Sequence, residues 1–132
     1  MSDQSDSPQT EEQYDQVLNE VLKTLRAEYR QDLPARMDEL KGALKNAQSK
    51  SEDALEGLKT AHIVAHRFAG TAGSYGFQNL SEAAQELDLY LKSFFQTELK
   101  IEEKNNLDWQ NNLNWQKLTS LADKMQACID AN

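Results

Sequence analysis

The chain is short of cysteine: Cys128 is the only one in 132 residues. No internal disulfide can form, and a lone thiol fits a reducing compartment. Positive charge is also scarce, with 14 Lys and Arg against 22 Asp and Glu, a formal net charge of −8. Phosphate backbones are held by clustered cations, so nucleic acid is not an expected partner. No apolar run approaches the roughly 18 residues of a membrane span, so no membrane association is expected. The first residues, Met1-Ser2-Asp3-Gln4-Ser5-Asp6-Ser7, lack a basic region and an apolar core. They therefore do not read as a secretion signal, and a cytoplasmic location is expected. Strand-like alternation is absent and β-branched residues are few, which leaves helices as the building material.

What is present is apolar spacing of three and four. The length fits one domain able to bury roughly two-thirds of its unfolded surface. Residues 1–10 are polar or acidic and read as a disordered tail, with the folded domain at 11–132. Thr10 and Gln13 resemble a capping box. Tyr14, Val17, Leu18, Val21, Leu22 and Leu25 then recur at helical spacing, before Asp32 and Pro34 punctuate the pattern. Leu33, Met37, Leu40 and Leu44 follow, so this region is one kinked helix or two. Ser49 or Ser51 is a candidate cap for the next helix, which carries Leu55, Leu58, Ala61, Ala65, Phe68 and Ala72. Gly73-Ser74-Tyr75-Gly76 ends it. A further helix from about Asn79 bears Leu80, Ala83, Ala84, Leu87, Leu91 and Phe94. A polar break at residues 102–106 precedes a last helix with Trp115, Leu118, Leu121, Met125, Cys128 and Ile129. The predicted fold is all-α: an antiparallel up-down four-helix bundle with an additional N-terminal helix, the Leu, Phe, Met and Trp residues named here packing in its core, while a separate helix from Tyr14 to Tyr29 could instead pair between chains.

Residues 61–77 hold both histidines and three of the five glycines. At about 100° per residue, His66 falls roughly 100° from the centre of its helix's apolar stripe, too far round to be core. Lys59, His62, Ile63, Ala69, Gly70 and Gly73 share its face. From His62 onward that patch is uncharged, and beyond the ring nothing exceeds a methyl group. Glycine inside a helix costs about 1 kcal/mol relative to alanine, so an offsetting gain is expected, such as the close approach of another macromolecule. The bland alternative is a surface histidine beside capping glycines, which suits Gly73 better than Gly70.

His66-Arg67-Phe68-Ala69-Gly70-Thr71-Ala72-Gly73-Ser74-Tyr75-Gly76-Phe77, followed by Leu80, Ala84 and Leu87-Asp88, resembles the signature of histidine-containing phosphotransfer domains. The family pattern is a histidine, a hydrophobe two residues on, and glycines four and ten residues on. His66, Phe68, Gly70 and Gly76 occupy those places. The resemblance covers about a quarter of the chain. It implies a phosphorelay intermediate whose His66 takes a phosphoryl group from a receiver-domain aspartyl phosphate, or from a histidine kinase, and passes it to another receiver. It implies no kinase activity or cofactor of its own, since Mg2+ comes with the receiver. Response-regulator receiver domains are the implied partners, with a hybrid histidine kinase a further candidate. Imidazole titrates at about 6.5, so an exposed ring offers an unprotonated nitrogen at neutral pH.

Family members commonly carry Glu or Gln twenty-two residues after the histidine, bonded to the ring's other nitrogen. Asp88 stands there, either reaching the ring or remaining a solvated carboxylate. Many members have lysine three residues after the histidine, where this chain has Ala69. Arg67 and Lys92 are candidate counter-charges, whereas Lys59 is placed to meet an acidic rim on the receiver. Lys59, His62, Ile63, Ala69, Gly70 and Gly73 would form the docking face. Two other readings compete. His62 and His66 at i, i+4 suit one metal ion, though no Asp, Glu or Cys in that turn completes the set. A phosphorylation-independent adaptor, docking a partner through the same patch, would make the imidazole incidental. No phosphate-cradling glycine loop with lysine is present to support an ATP-using enzyme.

Overall fold

A computed structural model describes residues 3–97 and 107–131, with side chains described from residue 10 onward. Helix α1 spans Asp3–Gln48, α2 Ala54–Thr71, α3 Gln78–Thr97 and α4 Trp115–Ala131. The described residues contain no strand. The chain divides into two units, Met1–Asp32 and Leu33–Asn132.

The second unit is the bundle. Leu33, Met37, Leu40, Ala43 and Ala47 of α1 are buried, as are Leu58, Ala61, Ala65 and Phe68 of α2. Leu80, Ala84, Leu87, Leu91 and Phe94 of α3, with Leu118, Leu121 and Met125 of α4, complete the core. Each set repeats at three and four residues, so one face of each helix meets the centre. Side chains link the helices around a ring. Lys41 Nζ donates to Gln126 Oε1 at 2.6 Å between α1 and α4. Lys124 Nζ reaches Glu86 at 2.9 Å between α4 and α3. Between α1 and α2 the spacing is set by Gly57, where an added Cβ would lie 2.8 Å from the Ala43 carbonyl oxygen and 2.9 Å from the Ala47 nitrogen. Only hydrogen fits there.

Several local expectations change. α1 is continuous through Thr10, Asp32 and Pro34, so Thr10 is no cap and no separate N-terminal helix precedes the bundle. Proline removes one intrahelical donor, but Leu33, Met37 and Leu40 are buried in one helical phase on either side of it. Keeping that phase outweighs one lost bond. Most of the stretch expected as a disordered tail also lies inside α1. Tyr14, Val17, Leu18, Val21 and Leu25 are exposed rather than core, and the described part of their unit is a single helix. The expected polar break at residues 102–106 lies outside the described residues.

The connections carry their own chemistry. Asp53 precedes α2 without a side-chain cap bond; Ser51 Oγ instead accepts from the Asp53 amide at 3.0 Å in a local turn. Asn114 caps α4, its Oδ1 accepting from the Lys117 amide at 3.0 Å. Before α4, a 3-10 turn at Asp108–Asn112 buries Trp109 and Gln110. Gln110 Nε2 donates to the carbonyls of Ala47 at 2.7 Å and Ser49 at 2.6 Å. That amide fastens the end of α1 to the segment leading into α4.

Candidate functional site

The site is built where α2 and α3 run side by side. After α2, residues Gly73–Tyr75 form a 3-10 turn and Gly76 takes φ 89°, a left-handed conformation that glycine adopts without strain. The chain reverses there, and Phe77 N–H returns to the Ala72 carbonyl at 2.9 Å. Two contacts then set the distance between the helices. Ser81 Oγ donates to the Ala69 carbonyl at 2.9 Å. A Cβ on Gly73 would meet Gln78 Oε1 at 3.2 Å and Ser81 Oγ at 3.5 Å. Gly73, expected on the docking face, is thus half-buried against α3.

His66 stands out from this pair of helices. Its neighbours Val64, Ala65 and Phe68 are buried, which turns position 66 outward. The side chain is 76% exposed. Beside it Gly70 opens onto empty space, with no atom within 4 Å of where a Cβ would stand. No packing contact requires glycine at 70. Ile63 and Leu89 add exposed apolar surface on either side, and Lys59 is exposed, paired with Glu56 at 3.4 Å.

Asp88 reaches the ring. Its Oδ2 lies 3.1 Å from His66 Nδ1, and its side chain is 15% exposed. Of the two possibilities in the sequence, the ring contact is realised although aspartate is one methylene shorter than glutamate. A carboxylate only accepts, so Nδ1 is the donor in this contact, and in the neutral ring the lone pair is then on Nε2.

His62 is not part of an open face. Its side chain is 27% exposed, with Nε2 2.9 Å from Asp88 Oδ1. Its ring stacks on Phe95 with centroids 5.6 Å apart and planes 24° from parallel. The N–H axis does not point along the short Nε2–Oδ1 separation. That contact is therefore an electrostatic approach, and Oδ1 is left buried without an aligned hydrogen bond. One carboxylate thus spans two histidines.

An open groove of about 440 Å³ runs past these groups, lined by His62, Ile63, His66, Arg67, Asp88, Leu89 and Lys92. It brings Arg67 and Lys92 to the same surface depression as His66. Ala69 is half-buried, its carbonyl engaged by Ser81. Among the described residues no group of three or more His, Cys, Asp and Glu is arranged to hold a metal ion.

Sequence reasoning missed Ser81, Leu89 and Phe95. Leu89 left a signal, because it interrupts the polar side of α3 between the stripe residues Leu87 and Leu91. Ser81 and Phe95 left none, since each matters only through the helix opposite.

Comparison with known proteins gives one match. The family model described as the Hpt domain covers residues 24–130. No curated protein and no solved structure matches the chain.

Proposed function

The chain belongs to the Hpt domain family, and from that membership we propose that it relays phosphoryl groups through His66. Histidine phosphotransfer in two-component signalling is the activity of the family. The finer assignment is ours: His66 accepts from a receiver aspartyl phosphate, or from a histidine kinase, and donates to a second receiver. The observation that carries it is the 3.1 Å contact between His66 Nδ1 and Asp88 Oδ2 on a ring otherwise open to solvent.

In this reading Nε2 attacks phosphorus in line with the bond to the receiver's aspartate. The N–P bond forms as the P–O bond breaks, and the leaving carboxylate takes the electron pair. Positive charge develops on the imidazole, and Asp88 stabilises it through Nδ1–H without taking the proton. The rigid bundle supplies position, which is most of what phosphoryl transfer asks of a protein. Arg67 and Lys92 take over the counter-charge that Ala69 does not provide. The Mg2+ that screens the phosphoryl oxygens is the receiver's.

Ile63, 51% exposed, and Leu89, 64% exposed, support docking of a partner over this groove, with Gly70 giving clearance and Lys59 and Ala69 at its margin. These apolar residues would also serve an adaptor that binds without transfer. The test is incubation with a radiolabelled, phosphorylated receiver domain, wild type beside His66→Gln. Label on the wild type alone supports the relay. Equal label on both overturns the assignment of His66, and receiver binding with no label on either favours the adaptor.

A further inference from the structure

The relay uses His66 and Asp88 and leaves His62 without a part. Yet His62 is the better-held histidine, flat against Phe95 with its Nε2 2.9 Å from Asp88 Oδ1. Two acceptors would repel at that distance, so Nε2 of His62 carries a hydrogen. The carboxylate of Asp88 is planar, and its terminal torsion has a broad, nearly free profile. Holding one oxygen therefore decides where the other points. Spacing i, i+4 puts the two imidazoles one above the other on α2, and a single carboxylate from α3 can bridge them.

We propose that His62 is a positioning residue that acts through Asp88. By holding Oδ1 it turns Oδ2 toward His66 Nδ1, which keeps His66 in the tautomer whose Nε2 is free. The ionisable groups that share a groove with His62 are Asp88 and Lys92 from α3, with Lys59, His66 and Arg67 from its own helix. Asp88 is the one of these whose oxygen approaches His62 Nε2 to 2.9 Å. The device deepens the relay reading and rests on it for its effect on rate, but the tautomer it sets exists without any partner.

The experiment is nitrogen NMR of the imidazoles in the full chain, with transfer from a phosphorylated receiver measured in parallel. His62→Phe keeps a ring against Phe95 and removes the nitrogen, while His62→Gln restores a donor. Asp88→Ala marks the fully released state. In wild type, His66 is expected as the Nδ1–H tautomer and His62 with its hydrogen on Nε2. His62→Phe should move His66 toward the tautomer mixture of Asp88→Ala and slow transfer about three- to tenfold with receiver affinity unchanged. His62→Gln should recover most of both. An unaltered His66 tautomer and rate in folded His62→Phe overturns the proposal. A wild-type His62 Nε2 without a bonded proton overturns it even if that variant does not fold. If His66 accepts no phosphoryl group while its tautomer still follows position 62, the relay reading fails and the positioning role stands.

Discussion

Alanine should have opposite effects at two glycines of the same helix. Both Gly57 and Gly70 lie in α2, where replacing glycine relieves about 0.5–1 kcal/mol of backbone entropy cost. At Gly70 nothing lies within 4 Å of the new methyl group, so the gain survives. It falls toward the lower end because Thr71 is already the last residue of the helix. At Gly57 the methyl would stand 2.8 Å from the Ala43 oxygen, 2.9 Å from the Ala47 nitrogen and 3.0 Å from Asn46 Cβ. Two of these are backbone atoms of α1 and cannot rotate away, so the helices must separate. Overpacking of this kind costs about 1–3 kcal/mol, and rigid neighbours place it near the top. Subtracting the entropy gain leaves Gly57→Ala destabilised by about 2 kcal/mol. At roughly 4 °C per kcal/mol for a domain of this size, the melting temperature should fall by about 8 °C. For Gly70→Ala it should rise by about 2 °C. Gly42→Ala, also in open space but farther from its helix end, serves as the control, and its melting temperature should rise at least as much as that of Gly70→Ala. Urea denaturation gives the free energies directly from the midpoint at constant slope. Gly57→Ala as stable as wild type would refute the close approach of α1 and α2. Loss of stability in Gly70→Ala would refute the claim that position 70 is open.

The remaining expectations concern the site and its supports. Gly70→Gln should retain wild-type stability yet slow transfer from a phosphorylated receiver about tenfold, because a long side chain fills the clearance beside His66; unchanged initial rates would count against it. Asp88→Ala removes a charge-assisted bond of about 1.5–3 kcal/mol, and with His66 76% exposed the lower end applies, a loss of about tenfold in transfer rate by quench-flow. Gln110→Ala strips the donor from the Ala47 and Ser49 carbonyls and should cost about 2 kcal/mol in urea, whereas a shift within error would mean that water replaces the amide. Glu86, by hydrogen bond and by charge, raises the Lys124 ammonium above its ordinary 10.5. Any stability from the pair is therefore present below 10.5 and lost as pH rises through the raised value. Lys124→Met should melt like wild type in 1 M salt, where exposed pairs are screened.

The helices were readable because their apolar residues keep time. Leu58, Ala61, Ala65, Phe68 and Ala72 needed only a period of 3.6 to be placed inward, and all five are buried. The same period put His66 outside. Local signals misled where a tertiary term outweighed them. Pro34 reads as punctuation, but the buried phase from Leu33 to Leu40 carries α1 through it. Residues 14–25 read as core because spacing records which face is apolar and not whether anything covers it. Gly57 drew no notice, since its constraint is the backbone of another helix. Gln110 is buried for the same kind of reason, its partners lying 61 and 63 residues away in sequence.

His62 shows why the site itself was only partly legible. Helical projection places it on the face of His66, and from one helix alone that face looks like open docking surface. Only α3 decides otherwise, by bringing Asp88 between the imidazoles and Phe95 beneath the first of them. The pairing that does this depends on small groups at the turn: Gly73 lets Gln78 and Ser81 approach, and Ser81 ties down the carbonyl of Ala69. Position 69 thus contributes backbone to the helix contact, while Arg67 from α2 and Lys92 from α3 line the groove beside His66. In the relay reading, the electrostatics at phosphorus then depend on the spacing of two helices and not on one lysine. A change that loosens α2 from α3, such as loss of the Ser81 hydroxyl, would weaken the nucleophile's orientation and its counter-charge together. Separate losses in the two would mean that the helices do not act as one support.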